Sequence, residues 1–510
     1  MDVSRGVTEA IKVWLALGGA ALGLAAVRLS ARRLGRILLL LTLVATLNYA
    51  RWGPKAALER VDSYDLMHYY LAARYFDELG YYDLYPAVLL VDHEHGPYDA
   101  RIKRCRLQDA AGYRLAPLAE CLERGRSVRE QQFTPTRWQA FEHDFLALQR
   151  GWKMSRRLWR DMIQDRGFNA TPAWITVMSP LVTTVPVEAI KWLAWLDVVL
   201  LAVGLGAVRW AYGRATMLWA WLFLMVTYSL RWPMPTQVFA RYDWVAALMV
   251  AMALLRKSRP FWAGGLVGFA ALVRLFPIVW LFGPAARALW RLIRPTAGAS
   301  RFDREGARLA AGALACLVVL EGAALLNLGI DTARTHAQNI AEHVRPEQLS
   351  SRRIGFALAY SYRGELEPKY LPKSRKLEIK DQARERWPIV AVLLGLLGFG
   401  TRRLRHDQAF ALGFLPFFWL ATASYYYYVT RITLVIWHAE DLSRRRNRVG
   451  LATLFGLEVF ANWAETVHPG HRVYLIGRLA WGLLAYSVLI AGWLAWDAWR
   501  EPKTDPREPA

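Results

Sequence analysis

The chain has 510 residues, among them 24 Trp, 22 Tyr and 20 Phe, and a formal net charge of +23. Apolar runs close to the ~20 residues that cross a bilayer recur along it, which excludes a soluble nucleic-acid-binding protein despite the basic charge. The mean hydropathy is only +0.14 because two long polar segments, 86–171 and 330–386, interrupt the apolar runs. We therefore predict an all-α polytopic membrane protein.

Residues 1–52 are predicted to form a transmembrane hairpin, with apolar runs at Val13–Val27 and Ile37–Ala50. The loop between them carries Arg28, Arg32, Arg33 and Arg36. Short basic loops stay in the cytoplasm, so the second run should bring the chain to the outer face. A cleavable signal peptide is the alternative for the first run, but its flank is barely basic and contains acids.

The next stretch, Val61–Tyr85, places acids and a histidine beside a dense run of tyrosines where a membrane helix ends. Asp62 before a helical pattern and Gly80 after it predict one helix from about Ser63 to Leu79. Residues three and four apart share a helix face. The face expected to carry function is formed by Asp65, His68, Tyr69 and Ala72.

Helix capping is the alternative interpretation of the two acids. Asp62 is a good N-cap, and Asp65 three residues later could complete a variant capping box. That accounts for both acids without chemistry. It does not account for the tyrosines or for His68, although such a histidine is more often a hydrogen-bonded helix residue than a catalyst.

We predict a first extracytoplasmic loop over residues 53–188, whose tryptophans indicate a folded, partly helical subdomain. Cys105 and Cys121 lie in it. A disulfide can form between them outside the cytoplasm, and two free thiols are the alternative, because sequence does not show their proximity. A metal site at His93 and His95 is disfavoured because two further spaced ligands are lacking.

The rest of the chain divides into a central bundle, a second outer loop, a C-terminal bundle and a cytoplasmic tail, at residues 189–329, 330–386, 387–496 and 497–510. Together the apolar runs predict about 13 spans. In this scheme every strongly basic short loop falls on the cytoplasmic side, and both long polar segments fall on the other.

Four arginines lie at the outer ends of spans or at bends between them, namely Arg231, Arg241, Arg274 and Arg431. Arginine binds phosphate through two parallel hydrogen bonds. A carboxylate nearby can take a proton from an acceptor hydroxyl. Acids, tyrosines and arginines at one membrane face therefore fit a phosphate-bearing lipid whose head group leaves the bilayer.

The stretch from 61 to 85 also resembles the segment after the first core membrane helix of the GT-C glycosyltransferases. The matching residues are Asp65, Tyr69, Tyr70, Ala72, Ala73, Gly80, Leu84 and Tyr85. The branch it resembles most is glycosyltransferase family 87, which uses polyprenol-phosphate-mannose or -arabinose. The resemblance implies a GT-C-like bundle, inversion at the sugar carbon and a general base at Asp65. Asp62 forms with it a spaced pair similar to the modified Asp-x-Asp signatures of other GT-C branches.

A second patch of resemblance covers Thr236–Pro277, where family 87 has Gly-Gln, two apolar spans around a basic turn, and a Lys-x-x-Pro-like bend. Here Gln237 is kept, Thr236 replaces the glycine, and Arg274 stands where the family often has lysine. A cation at Arg274 suits a donor phosphate. The long first loop and the extra N-terminal span depart from the family, which leaves the substrate class open.

Structural alternatives stay open for three of these side chains. Arg274 could be an arginine that snorkels to the membrane interface. Arg241 could simply pair with Asp243 at the loop edge. Tyr427 belongs to the run Tyr425–Tyr428, which suits an aromatic belt as well as a sugar pocket.

The sequence thus predicts a glycosyltransferase that moves a hexose or pentose from a polyprenyl-phosphate donor to an extracytoplasmic glycan or glycolipid. Asp65 is the expected base and Asp62 the second candidate. The expected substrate-binding residues are His68, Tyr69, Tyr70, Arg231, Gln237, Arg241, Arg274, Tyr427 and Arg431. No cofactor is required and a divalent metal is optional, because arginine can neutralise phosphate. The expected location is a bacterial inner membrane, with lipids and no nucleic acid as partners.

Two other classes of function remain as alternatives. A transporter or flippase of lipid-linked saccharides would also need many spans and outward arginines, but it should show symmetric halves or broken helices at matching positions. A non-catalytic envelope assembly protein would use the long loops to bind partners, and it predicts that Asp65→Asn is harmless.

Overall fold

The computed structural model describes residues 3–53, 58, 60–98, 102–109, 112–151, 154–165, 167–294, 300–343, 353–364, 374, 378, 382 and 384–500. The structure is 79% helical, which confirms the all-α class. Strands within the described residues form two antiparallel two-stranded sheets. Most of the second outer loop between 344 and 383, and the tail after 500, lie outside the described residues.

Four helices in the described part of the chain are long and apolar enough to cross a membrane. They are Arg5–Arg28, Val187–Tyr212, Arg304–Glu342 and Arg472–Arg500. Three shorter apolar helices accompany them, at Arg214–Val226, Pro260–Arg274 and Trp387–Thr401. These helices are those of an integral membrane protein, whereas the count of about 13 spans and their orientation stay predictions.

The N-terminal hairpin and the polar subdomain form the first part of the molecule. The hairpin is α1 (Arg5–Ala25) and α2 (Ala31–Tyr49). The subdomain contains α3 (Ser63–Leu66), α4 (Ala72–Arg74), α5 (Phe76–Leu79), α6 (Leu84–His95), β1 (Arg104–Asp109), β2 (Gly112–Pro117), α7 (Leu118–Gln132), α8 (Pro135–Leu146), α9 (Arg156–Met162) and α10 (Pro172–Thr184). The polar segment after residue 86 is therefore folded, as its tryptophans indicate.

The central bundle consists of α11 (Ile190–Ala194), α12 (Leu196–Tyr212), α13 (Arg214–Val226), α14 (Asp243–Arg256), α15 (Pro260–Arg274), α16 (Phe282–Ile293) and α17 (Arg304–His343). The second outer loop was expected to begin at Ile330. Instead α17 continues for one more helical stretch beyond Gly329, whose φ of 79° and ψ of 164° break the helix geometry.

The last part begins with β3 (Arg353–Ile354) and α18 (Phe356–Ser361). It continues with α19 (Trp387–Thr401), α20 (His406–Ala411), α21 (Phe414–Leu420), β4 (Ala423–Ser424), α22 (Ile432–Glu440), α23 (Arg445–Val467) and α24 (Arg472–Arg500). A 3₁₀ turn over Tyr425–Arg431 joins β4 to α22.

Glycines allow α15 and α17 to pack backbone against backbone. A methyl group at Gly264 would lie 1.9 Å from the carbonyl oxygen of Leu309, and one at Gly312 equally close to that of Phe261. Small residues at helix interfaces permit this close approach in membranes. The contact fixes α17 beside the helix that ends at Arg274.

Ion pairs join the loops at one end of the central bundle. Arg256 at the end of α14 lies 3.3 Å from Glu440, and Arg405 pairs with both Glu440 and Asp407. The hydroxyl of Tyr212 donates to Asp407 over 2.9 Å. The basic turns that follow α12, α14 and α19 thus meet at the same end, as the predicted topology requires.

Cys105 and Cys121 form a disulfide that ties β1 to α7. Of the two alternatives for these cysteines, the pairing is therefore the one observed. Both side chains are fully buried, and the third cysteine, Cys316, is free. Disulfides persist in oxidising compartments, and the outer location of this subdomain stays a prediction.

Thiol counting under denaturing conditions should show this pairing. We expect a maleimide reagent to modify one of the three cysteines before reduction and all three after it. Replacing both Cys105 and Cys121 by serine should lower the free energy of unfolding of the subdomain by about 3 kcal/mol, because the disulfide closes a short loop. Cys316→Ser is the matched control and should leave stability unchanged. Three reactive thiols before reduction would contradict the pairing.

Candidate functional site

The predicted helix over Ser63–Leu79 is present but divided. It consists of α3, a π-helical turn at Met67–Leu71, α4 and α5, with a break at Tyr75. A π turn adds a residue to the helical repeat, and such turns are frequent at functional sites. Because of this extra residue, side chains that a regular helix would place on one face point in different directions.

Asp65 and Arg241 form a buried ion pair at the N-terminal end of α14. Asp65 Oδ1 lies 2.9 Å from Arg241 Nε, and the two side chains are 3% and 9% exposed. Arg241 also donates to the hydroxyl of Tyr69, and its guanidinium lies 4.7 Å from the centre of that ring. Asp65 and Tyr69 therefore meet one arginine, as the shared helix face predicts.

Arg274, the last residue of α15, also approaches the same tyrosine. Its Nη1 lies 3.5 Å from the Tyr69 hydroxyl, and its guanidinium is 5.5 Å from the ring centre. The Nε atom is buried without a hydrogen-bond partner. Within the described residues Arg274 forms no ion pair, so its charge is available to an anion.

Tyrosines of the 3₁₀ turn complete this cluster. The guanidinium of Arg241 lies 5.2 Å from the ring centre of Tyr426, which in turn contacts Tyr427 at 4.4 Å. Tyr427 packs edge-on against Phe276 and Trp244 at 4.8 and 5.8 Å. The rings form a wall beside the two arginines. Tyr427, for which the sequence left an aromatic belt and a pocket open, is therefore part of this cluster.

Burial sets the electrostatics of the carboxylate. It raises the pKa of Asp65 to about 7, against the opposing effect of Arg241, while Asp62 raises it further and Arg274 lowers it. Asp65 Oδ2 is buried with no hydrogen-bond partner. A carboxylate with one free oxygen and a pKa near neutrality can accept a proton from a hydroxyl placed beside it.

Asp62 has the geometry of a helix N-cap. Its Oδ1 accepts hydrogen bonds from the backbone N–H of Tyr64 and Asp65 at 3.1 and 3.3 Å, and its Oδ2 accepts one from the indole of Trp232. The variant capping box is wrong, since the Asp62 N–H donates to the Gln237 carbonyl and the Asp65 side chain pairs with Arg241. The backbone of Gln237 thus positions the start of α3.

His68 and Tyr70 face away from the arginine pair. The ring nitrogens of His68 lie 2.7 Å from the Tyr64 carbonyl and 2.7 Å from the Tyr85 hydroxyl. The hydroxyl of Tyr70 donates to the Val185 carbonyl over 2.9 Å. These contacts support the structural alternative for His68 and place Tyr70 against the α10 end of the subdomain.

Arg231 and Arg431 are also apart from the cluster. Arg231 pairs with Glu9 of α1 at 3.1 Å and with Glu465 of α23. Arg431 is completely buried and lies 2.6 Å from Glu458, which is equally buried. Both arginines therefore have carboxylate partners within the bundle, which the linear sequence does not reveal.

Residues that the sequence did not single out also position the site. Asp197 of α12 accepts hydrogen bonds from the backbone N–H of Arg241 and Tyr242 at about 3 Å. The sequence does contain a signal for Asp197, an acid near the start of an apolar span. Burying a charged side chain in a membrane costs free energy, so such an acid indicates a structural or functional role. Asp243 contacts Arg274 electrostatically rather than forming the ion pair with Arg241 considered above.

The second outer loop contributes a further arginine. β3 pairs with β4 so that Arg353 stands opposite Ser424, directly before the tyrosine run. Arg353 is close enough to Tyr426 and Tyr427 for electrostatic interaction. No feature of its polar surroundings in the sequence distinguishes it from the neighbouring arginines.

Strained backbone flanks both arginines of the cluster. Ala240, before Arg241, has a φ of 46°, and Leu275, after Arg274, has a φ of 57°. Residues with a Cβ rarely adopt this φ region, and those that do concentrate at functional sites.

The described residues contain no group of three metal-binding side chains. Family models, curated proteins and solved structures give no match to this chain.

The buried Arg431–Glu458 pair allows a stability test of the Arg431 assignment. Arg431→Met should lower the free energy of unfolding by about 3 kcal/mol, because it leaves Glu458 as an unpaired buried charge. Arg431→Met combined with Glu458→Gln should recover most of that loss, since glutamine still accepts the Tyr228 N–H that now binds Glu458. Thermal unfolding in detergent measures both. A double variant no more stable than the single one would contradict a structural role.

Proposed function

We propose that the chain is a GT-C-type membrane glycosyltransferase that transfers a sugar from a polyprenyl-phosphate donor to a glycan or glycolipid acceptor. One observation carries this proposal. The buried Asp65 has a free carboxylate oxygen and pairs with Arg241, and Arg274, which acts on Asp65 electrostatically, forms no ion pair among the described residues. A base and an anion-binding group are the two elements that sugar transfer from a phosphate requires.

In this reaction Asp65 accepts the proton of the acceptor hydroxyl as its oxygen attacks the anomeric carbon. The bond from that carbon to the phosphate oxygen breaks, and polyprenyl phosphate leaves with the electron pair. Arg241 and Arg274 neutralise the charge that develops on this phosphate. Tyr69 holds the two guanidinium groups together, and Tyr427 forms part of the wall beside the sugar. A divalent metal is therefore optional.

The depth of the site supports a lipid-linked donor. α14 has 14 residues and α15 has 15, so each is about 21–23 Å long, shorter than the ~30 Å hydrocarbon core. The two helices are antiparallel and joined at the turn after Arg256, and they end side by side at Arg241 and Arg274. With the turn after Arg256 at one surface of the membrane, as we propose, both arginines lie inside the opposite surface, where the phosphate of a membrane lipid can meet them.

A bacterial inner membrane with the site on its outer face is the setting we propose. The Cys105–Cys121 disulfide supports it, because the subdomain that carries Asp65 is then in an oxidising compartment. Membrane lipids and the saccharide acceptor are the corresponding partners.

The two aspartates provide a matched pair of variants. Asp65→Asn removes the base and should lower transfer at least 100-fold. Asp62→Asn should keep most activity, because asparagine is an equally good N-cap. The measurement compares lipid and glycan profiles of a gene deletion complemented with wild type or either variant at matched expression. We expect deletion and Asp65→Asn to lose one glycoconjugate and to accumulate an unused polyprenyl-phosphate sugar. Normal glycans with Asp65→Asn would overturn the proposal.

Transfer should depend on pH through Asp65. Because burial raises its pKa to about 7, the carboxyl is protonated and inactive as a base below that pH, and kcat/KM should rise through pH 7 to a plateau. Arg241 lowers this pKa, so Arg241→Gln should move the rising limb to higher pH as well as weaken donor binding. A profile whose limb is unchanged in Arg241→Gln would show that another group titrates.

A further inference from the structure

A cavity of about 600 Å³ opens between the subdomain and the kinked part of α17. One wall is the segment 76–83, which contains α5 and the turn after it. The other is α17 on both sides of Gly329, and Gln132 adds to the rim. The residues of α17 that line it are Asn327, Leu328, Asp331, Thr332 and Thr335.

Oxygen atoms dominate the polar lining of this cavity. Four acids contribute, namely Asp77, Glu78, Asp83 and Asp331. Three of these acids have arginine partners: Arg124 binds Asp83 at 2.8 Å, Arg137 binds Glu78, and Arg334 binds Asp331 at 3.1 Å. None of the three arginines is among the lining residues, so the cavity offers phosphate and other anions no basic side chain.

Aromatic rings and neutral polar groups complete the lining. Tyr81 is held in place by its hydroxyl, which donates to the Ala170 carbonyl over 2.9 Å, and Phe76 packs edge-on against it at 5.1 Å. Asn327, Thr332 and Gln132 supply further hydrogen-bonding groups. The rings of Phe76 and Tyr81 are almost fully buried, so they stiffen the wall rather than offer their faces to a ligand. The hydrogen-bonding groups of this concave site suit a molecule with many hydroxyls, and neutral carbohydrate is the chemical class that has them.

An aromatic layer one residue thick separates this cavity from the arginine cluster. Tyr81 stacks on Phe168 at 6.1 Å, and Phe168 meets Tyr69 edge-on at 6.0 Å. Tyr69 is the residue that contacts both Arg241 and Arg274. The cavity and the cluster are therefore neighbouring regions with Phe168 between them.

We infer that this cavity binds a neutral saccharide, the acceptor of the transfer reaction; the name acceptor rests on the proposed function, whereas the binding does not. The saccharide would come either as a free glycan or as a lipid-linked head group. Leu326 of α17, which is 92% exposed beside the cavity, offers apolar surface to an attached lipid chain.

Binding to purified full-length protein in nanodiscs tests the inference. The free neutral probes are maltotriose, cellotriose and mannotriose, and the lipid-linked probe is diglucosyl diacylglycerol. Trigalacturonic acid serves as the anionic counterpart. Asp331→Lys reverses a lining charge, and Thr335→Trp fills the space. Asp161→Lys is the matched control, because it also reverses an exposed helical aspartate next to arginines but lies outside the cavity.

We expect at least one neutral probe to bind, the anionic probe to bind at least about tenfold more weakly, and both cavity variants to lose about tenfold in affinity while Asp161→Lys does not. Binding of the glycolipid alone would identify a lipid-linked acceptor, and binding of a free trisaccharide would identify the sugar itself. Failure of all neutral probes, equal binding of trigalacturonic acid, or unchanged affinity in the cavity variants would overturn the inference.

Asp65→Asn separates this inference from the proposed reaction. The variant should bind the neutral probe with wild-type affinity, because Asp65 does not line the cavity. If it also retains transfer, the catalytic proposal fails while saccharide binding stands. If Asp65→Asn abolishes transfer and the cavity variants leave saccharide affinity unchanged, the reaction stands and the cavity assignment fails.

Discussion

The buried ion pair between Asp65 and Arg241 is the contact on which the arrangement of the site depends. Removing two charges from water is expensive, and their mutual attraction repays the cost only when further hydrogen bonds satisfy them. Here the Phe239 backbone adds a hydrogen bond to Asp65, and the Tyr69 hydroxyl adds one to Arg241. The pair joins the polar subdomain to the segment directly before α14, so the subdomain and the bundle meet at the same carboxylate that has a free oxygen.

Each arginine of the cluster is next to a residue with strained backbone. The residues with positive φ, Ala240 and Leu275, each adjoin one of them, and each costs on the order of 1 kcal/mol or more. Asp197 offsets part of this cost at Arg241 by accepting two backbone N–H groups. The backbone strain thus accompanies the placing of two like charges at one tyrosine, of which Asp65 neutralises the one on Arg241.

Position at the end of a span was enough to predict part of the site. Asp65, Tyr69, Arg241 and Arg274 were all singled out by that criterion, and they lie together. The same criterion also selected Arg231 and Arg431, which are neutralised by Glu9, Glu465 and Glu458. Those acids are far away in sequence, so hydropathy and loop charge cannot distinguish a paired arginine from an open one.

Local hydropathy and charge patterns predict where helices lie better than they predict which side chains share a helix face. Apolar runs of the sequence form helices such as α13 and α15, and arginines mark the start of α13 and the end of α15. The π turn at Met67–Leu71 has no sequence signature, and it turns His68 towards Tyr85 while Tyr69 meets the arginines. Arg353 reaches the site only through a strand pair between distant segments, which one sequence does not show.

Ion pairs join the elements at both ends of the bundle. At one end Arg256 and Arg405 converge on Glu440, and Arg405 also binds Asp407. At the other end Arg231 binds Glu9 and Glu465, while the cluster around Asp65 keeps a free carboxylate oxygen and a free guanidinium nitrogen. A transporter has to expose its site to both sides, and it would have to break the first set of ion pairs to do so. An enzyme that meets donor and acceptor at one face, as we propose, needs no such opening.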